Sequence, residues 1–271
     1  MTQKDAVTLG TLRRKVAARQ AISALTCYDA TTARWLERAG IDLLLVGDTA
    51  AEMILGHATT LHAPLDFMVT ITAAVKRGAP SRFVMADMPF MSYQPSESRA
   101  LHNAGRFMTQ GMADAVKLEV DGSYEALVGR MSRAGVPVVA HLGSRPQHVR
   151  REGGYHAAGR TASEAATIVD DARRMEQNGA VMILLEAVPA QVGQAVVDAV
   201  SIPVIGCGAG PACHGHVVVL HDLLGMSDWH PPFIAPQAAL GPAIEQAARS
   251  WAELLGTGRY LKDDHPYRMR E

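Results

Sequence analysis

The stretch Ala115–Val116–Lys117–Leu118–Glu119–Val120 reads as a short buried strand that carries a lysine and a glutamate two positions apart. Alternate residues of a strand point to the same face, so Lys117 and Glu119 stand side by side in whatever interior that face meets. Burying one ionised group is costly, and a pair is tolerated only with partners or a metal. Two readings follow: a satisfied core salt bridge, or one contribution to a site that several strand ends share. The rest of the chain separates them.

Working outward, short apolar runs alternate with amphipathic segments along the whole sequence. Candidate strands cover residues 21–28, 43–48, 83–88, 115–120, 137–142, 181–186, 203–208 and 217–221. Helical patterns cover 31–39, 65–77, 96–112, 124–134, 161–178, 190–199 and 237–255. Thr161 with Glu164 three residues on is a capping-box pattern, and Asn178–Gly179 is a stop signal. Strands without polar alternation, separated by helices, imply a parallel sheet covered on its outer face. Eight of them in one chain of 271 residues point to a closed (β/α)₈ barrel in a single domain over 1–271. A doubly wound sheet is the alternative. Two connections, 49–64 and 143–160, follow the C-terminal ends of candidate strands and exceed simple loops. That is where barrels build active sites.

Composition narrows the function classes. Lys plus Arg number 26 against 27 Asp plus Glu, so nothing favours nucleic acid or an anionic membrane as partner. Hydrophobic residues make up 48% and charged residues 20%, ordinary usage for a globular domain. The N-terminal 1–20 carries basic residues but no apolar core, which reads as a surface lead-in and first helix rather than a secretory signal. Cys27, Cys207 and Cys213 are too few for a disulfide framework, so a reducing cytoplasm is expected.

The informative pattern is where the charges fall. Strand two runs into Asp48–Thr49, strand three into Asp87, strand four holds Lys117 and Glu119, strand five His141 and strand six Glu186. In a barrel these ends converge on one mouth. Asp48, Asp87 and Glu119 make a candidate hard-cation site, since magnesium takes a few carboxylates and keeps positions for water and substrate. Glu186 is then a spare carboxylate, free to act as a base once burial raises its pKa. Lys117 can neutralise a substrate carboxylate or an enolate oxygen, and His141 can position substrate or relay protons. The set suits enolate chemistry on a 2-oxo acid.

These residues carry a resemblance. The matching segments include Thr26–Cys27–Tyr28–Asp29, Val46–Gly47–Asp48–Thr49, Ala86–Asp87–Met88–Pro89–Phe90 and Val116–Lys117–Leu118–Glu119. His141–Leu142–Gly143, Pro146–Gln147, Gly153–Gly154–Tyr155, Leu185–Glu186 and Gly208–Ala209–Gly210 follow in order. Together they resemble the ketopantoate hydroxymethyltransferase family, from about Leu25 to Asp264–His265. The resemblance implies a (β/α)₈ barrel of the phosphoenolpyruvate/pyruvate type. It implies Asp48, Asp87 and Glu119 as magnesium ligands, and Asp48, Thr49, Asp87 and Lys117 as contacts to the 2-oxo acid, with Glu186 as proton acceptor. It further implies 5,10-methylenetetrahydrofolate as one-carbon donor and a homo-oligomer, commonly a decamer. The implied reaction converts 3-methyl-2-oxobutanoate to 2-dehydropantoate in pantothenate biosynthesis.

The departures from the family pattern cluster in the mouth. Thr49 replaces a Ser, Ala58 an Asp, and Val120–Asp121 a Gly-Gly pair; Ser144–Arg145 precede Pro146 where an apolar residue and Thr are usual. His156–Ala157–Ala158–Gly159 and Cys213–His214–Gly215–His216 also differ. A diverged paralogue doing hydroxymethylation or aldol/lyase chemistry on another 2-oxo acid therefore stands as the alternative, and free formaldehyde stands beside folate as donor. A non-catalytic scaffold would have no need of the retained charges. Cys213, His214, His216 and His221 fit no standard zinc spacing and are expected to be a polar loop and core histidines. The glycines at 206–210 lack the dinucleotide spacing and are expected to mark a close backbone approach.

Overall fold

The structure is a computed structural model that describes residues 6–259. Lys4 and the Asp264–His265 end of the resemblance lie outside the described residues. The chain divides into two compact units, 1–218 and 219–271.

The first unit holds the barrel. Helix α1 (Leu9–Ala17) precedes β1 (Ile22–Thr26), α2 (Ala30–Arg38) and β2 (Leu43–Val46). Then come α3 (Ala50–Met53), α4 (Leu65–Gly78), β3 (Phe83–Asp87), α5 (Glu97–Thr109) and β4 (Ala115–Glu119). The second half runs α6 (Glu125–Arg133), β5 (Val138–Gly143), α7 (Val149–Glu152), α8 (Ala162–Gln177), β6 (Met182–Glu186), α9 (Ala190–Ala199), β7 (Val204–Cys207) and β8 (Gly215–Val218). All eight strands pair in chain order and close parallel, β8 returning to β1 with Ile22 opposite Gly215 and Leu25 opposite Val218.

Strand alternation explains both the core and the site. Ile22, Ala24, Leu43, Leu45, Phe83, Met85, Ala115, Val139, Met182, Leu184, Ile205 and Val217 form one buried cluster. Two residues further along the same rows come Asp87, Lys117, His141 and Glu186, with Glu119 two beyond Lys117. The same face of the sheet is therefore apolar low in the barrel and charged at its C-terminal mouth. Val7 and Leu12 from the N-terminal segment join the apolar cluster, so α1 packs its buried side chain into the core rather than lying on the surface as a lead-in.

Local signals act as expected in the helices. Thr161 and Glu164 form the reciprocal capping box that starts α8, and Asn178 ends it. The connections after β2 and β5 exceed simple loops and contain α3 and α7 and short 3₁₀ turns at Thr60–His62 and Pro146–His148. Two expectations are corrected. The eighth strand is Gly215–Val218, earlier than 217–221, and His221 lies in helix α10 (Leu220–Leu223) of the second unit. Between β7 and β8 the connection of residues 208–214 is too short for a crossover helix.

The second unit contains α10 and α11 (Leu240–Gly256), the latter starting and ending within three residues of its expected bounds. Backbone bonds from Gln237 to Leu223 (2.7 Å) and from Leu240 to Leu224 (2.8 Å) tie the start of α11 to the end of α10. No helix among the described residues is long and apolar enough to cross a membrane.

The seam that closes the barrel has no room for a side chain at 215. A Cβ there would stand 2.2 Å from the Ile22 carbonyl oxygen. Gly215→Ala is expected to cost about 1–3 kcal/mol, the usual penalty of overpacking. Urea denaturation measures it, and an unchanged midpoint would show that the β8–β1 seam is looser than this geometry.

Candidate active site

Register delivers the charges to one another. Asp87 pairs with Lys117 across β3 and β4, Glu119 with His141 across β4 and β5, and Gly143 with Glu186 across β5 and β6. Lys117 Nζ lies 3.2 Å from Asp87 Oδ1 and 3.0 Å from His141 Nδ1. Asp48, just past β2, donates its backbone N–H to Asp87 Oδ2 at 3.0 Å. The structure thus brings together Asp48, Asp87, Lys117, Glu119, His141 and Glu186. Thr49 sits at the edge, its hydroxyl 2.6 Å from that of Tyr28.

The electrostatics are unbalanced: four carboxylates face one ammonium. Burial, then the charge of Asp87, pushes the Asp48 carboxyl up to about 7. Burial raises Asp87 and Glu119 as well, Lys117 opposing it in both and Asp48 adding repulsion at Glu119. Burial alone would lower Lys117, but Asp87, Asp48, Glu119 and Glu186 outweigh it and keep the ammonium charged. Burial and the neighbouring Lys117 and Arg145 charges hold His141 neutral, well below its usual range. With Lys117 donating to Nδ1, the imidazole proton belongs on Nε2, which faces Glu186 Oε2 at 3.4 Å.

Glu186 is held by backbone rather than by side-chain donors. Ser144 N–H donates to its carbonyl at 2.9 Å, and the next residue, Ala187, turns left-handed at φ 48°. Gly143 makes this approach possible: at φ +92° a Cβ would stand 2.3 Å from the Glu186 carbonyl oxygen. No hydrogen bond reaches the Glu186 carboxylate among the described residues, and burial pushes it up to about 7. Its side chain is 26% exposed at the mouth, so water tempers that shift.

Three residues of the site have no role that the sequence points to. Gln147 and Tyr93 are buried, and their polar atoms reach Asp48 and Glu119. Gln147 stands inside a family motif, the one signal that marks it; Tyr93 follows the Asp87 segment. Tyr28 is the third, again marked only by its motif. Two departures from the family pattern prove to be partners: Arg145 Nη1 lies 2.6 Å from Asp121 Oδ2. Ala58 and His156 are exposed on their loops.

The histidines near β8 make no second site. His214 Nδ1 accepts the Val204 N–H at 3.0 Å as a loop anchor, whereas His216 is exposed and is not a core histidine. The β7 glycines do mark a close approach, a Cβ at Gly206 standing 2.9 Å from Cys213 Sγ.

The oxygen-only donor set fits a hard divalent cation. Asp87 Oδ1 is buried with only the Lys117 ammonium beside it, and the excess of carboxylates calls for further positive charge. Among the described residues, no three His, Cys, Asp or Glu groups stand as a preformed ligand trio. A cation that keeps several waters needs only one or two direct carboxylates.

A parallel barrel with buried acids, an ammonium and a neutral imidazole at its mouth is the build of an enzyme acting on a small anionic substrate. A family model described as ketopantoate hydroxymethyltransferase matches residues 6–262. The chain is 42% identical to the 3-methyl-2-oxobutanoate hydroxymethyltransferase of Syntrophobacter fumaroxidans, over 92% of this chain and 89% of that protein. It is 40% identical to the enzyme of the same name from Thermotoga neapolitana, over 94% of each. Among solved structures, 2,3-dimethylmalate lyase of the PEP mutase/isocitrate lyase superfamily matches with TM-score 0.61 and 20% identity, covering 96% of this chain and 92% of that one. Phosphonopyruvate hydrolase in complex with oxalate and Mg matches with TM-score 0.62 and 13% identity over the same shares. These two show a shared barrel fold. The chain belongs to the ketopantoate hydroxymethyltransferase family, a family of enzymes that transfer a hydroxymethyl group.

A charged Glu186 is disfavoured by its surroundings, so in the cation-free protein it costs stability above its unfolded pKa, fully so above about 7. Glu186→Gln removes that cost. Its stability relative to the wild type is therefore expected to be smallest near pH 4.5 and to grow as pH rises to about 7. Melting curves of both proteins in chelator across that window measure it, and a difference that shrinks with rising pH would contradict the placement of Glu186.

Proposed function

We propose that this protein transfers a hydroxymethyl group from 5,10-methylenetetrahydrofolate to 3-methyl-2-oxobutanoate, giving 2-dehydropantoate for pantothenate synthesis. Family membership supports the reaction. The observation that carries the mechanism is Glu186: a carboxylate at the barrel mouth, raised to about 7 by burial, with the neutral His141 Nε2 facing it at 3.4 Å. Such a group takes and returns protons near neutral pH. We assign the proton at C3 of the 2-oxo acid to it.

Asp48, Asp87 and Glu119 would hold one magnesium ion, directly or through water, and the ion supplies Lewis-acid polarisation of the 2-oxo group. Lys117, charged and buried, balances the substrate carboxylate or the negative charge that develops on the 2-oxo oxygen. His141, neutral and standing between Lys117 and Glu186, faces the base, and Thr49 with Asp48 and Asp87 borders the bound acid. Water releases the methylene carbon at the formaldehyde level, both of its bonds to folate nitrogens breaking and the two nitrogens taking the water's protons. The C3 carbanion adds to that carbon, and the proton held on Glu186 returns to the new alkoxide to give the hydroxyl.

The protein is proposed to act in the cytoplasm as a homo-oligomer of one domain per chain, decameric by likeness to its family. The exposed Ile244, Trp251, Leu254 and Leu255 of α11 support assembly. Light scattering is expected to give a mass several times that of the chain, and a monomer at micromolar concentration would refute this part.

Deuterium exchange at C3 of 3-methyl-2-oxobutanoate, with magnesium and without folate, isolates the first step. The wild type is expected to exchange, and Glu186→Gln to lose about 10²–10⁴-fold in rate while still binding magnesium. Surviving exchange in that variant would place the base elsewhere. Exchange with a different 2-oxo acid alone would move the substrate and spare the mechanism.

A further inference from the structure

Gln147 is only 4% exposed, yet every polar atom of its side chain has a partner. Its Nε2 donates to Asp48 Oδ2 at 2.9 Å and to the Met88 carbonyl at 3.1 Å. Its Oε1 accepts from Gln94 Nε2 at 3.1 Å and lies 3.0 Å from the Tyr93 hydroxyl. Its backbone N–H donates to Glu119 Oε2 at 3.0 Å. Tyr93 closes the circuit, its hydroxyl accepting the Glu119 N–H at 3.2 Å. One residue of the turn after β5 thereby spans the ends of β2, β3 and β4.

The arrangement divides the carboxylate oxygens into two sets. Asp48 Oδ2 and Glu119 Oε2 are engaged by Gln147, and Asp87 Oδ2 by the Asp48 N–H. Asp87 Oδ1 has no hydrogen bond and faces the Lys117 ammonium at 3.2 Å, and Glu119 Oε1 lies 3.9 Å from Nδ1 of the neutral His141. A buried carboxylate has no other means of choosing which oxygen it presents, because rotation about its last bond is soft.

We propose that Gln147 is a positioning residue that commits one oxygen each of Asp48 and Glu119 to the protein and turns the other toward the cation. The inference rests on the cation site of the proposed function but not on its substrate. The Met88 carbonyl, which can only accept, fixes the amide's orientation: Nε2 faces it and Asp48, and Oε1 faces Gln94 and the Tyr93 hydroxyl, whose one proton is shared with the Glu119 carbonyl at 3.0 Å. The Arg145–Asp121 ion pair holds the turn two residues before Gln147 against the end of β4. Partners that orient ligand side chains are typically worth about 10–100-fold in metal affinity.

The test is magnesium titration calorimetry on the full chain, with Gln147→Asn as the main variant. Asparagine keeps the backbone donor to Glu119 but is too short to reach Asp48 from the same position. The magnesium Kd is expected to rise about tenfold or more. C3 exchange should fall at sub-saturating magnesium and return toward the wild-type rate at saturation. Tyr93→Phe, which removes the hydroxyl at Oε1, should weaken magnesium binding by a smaller factor, and it carries the test if Gln147→Asn fails to fold. A folded Gln147→Asn with an unchanged Kd overturns the proposal, as does exchange lost at saturating magnesium with Kd unchanged. An unchanged Kd in Tyr93→Phe, where it is the folded variant, does the same. If the wild type exchanges no 2-oxo acid but Gln147→Asn still weakens magnesium binding, the proposed reaction falls and this inference stands.

Discussion

The molecule is organised around a surplus of buried negative charge. Asp48, Asp87, Glu119 and Glu186 meet at the barrel mouth with Lys117 as their one ammonium. Isolated buried ions cost several kcal/mol each, so such a cluster persists only where the fold fixes its members and supplies donors. Here the fixing is done by strand register, which sets Asp87 beside Lys117 and Glu119 beside His141. The unfavourable repulsion that remains is the property a cation or an anion-cation pair would relieve on binding.

The barrel can hold this cluster because its interior is layered. The rows that carry Phe83, Met85 and Met182 low in the barrel carry Asp87 and Glu186 at the top. Apolar packing below secures the strands, so the charged layer need not contribute to stability. Val7 and Leu12 extend that packing into the N-terminal segment.

The same layering decides what could be read in the sequence. Seven strands were legible in place because parallel strands buried on both faces appear as unbroken apolar runs, whereas β8, with His216 exposed, was read two residues late. The six ionisable residues that meet at the mouth were legible for the opposite reason, each standing within or just after such a run, with Lys117 and Glu119 sharing one. Gln147 and Tyr93 were not, because residues in turns obey no period and an uncharged side chain makes no contrast with its neighbours. His216 shows the converse error: a polar residue among valines looks like core, but it faces outward on β8. The pairing of Arg145 with Asp121 lies across two loops 24 residues apart, beyond any local pattern.

Four carboxylates in one mouth need not share one task, and their hydrogen bonds divide the labour. Asp48, Asp87 and Glu119 each accept a donor from the protein on one oxygen. Donors fix the direction of each carboxylate, although burial still raises all three, so what they supply is orientation toward a cation rather than ionisation without one. The Glu186 carboxylate accepts no hydrogen bond among the described residues, His141 Nε2 standing 3.4 Å away, and its main chain is pinned by Ser144 instead. A ligand requires orientation with charge retained, and a base requires orientation with charge made expendable. The backbone geometry at Gly143 and Ala187 provides the second without the donors that provide the first, and this separates Glu186 from the three acids around it.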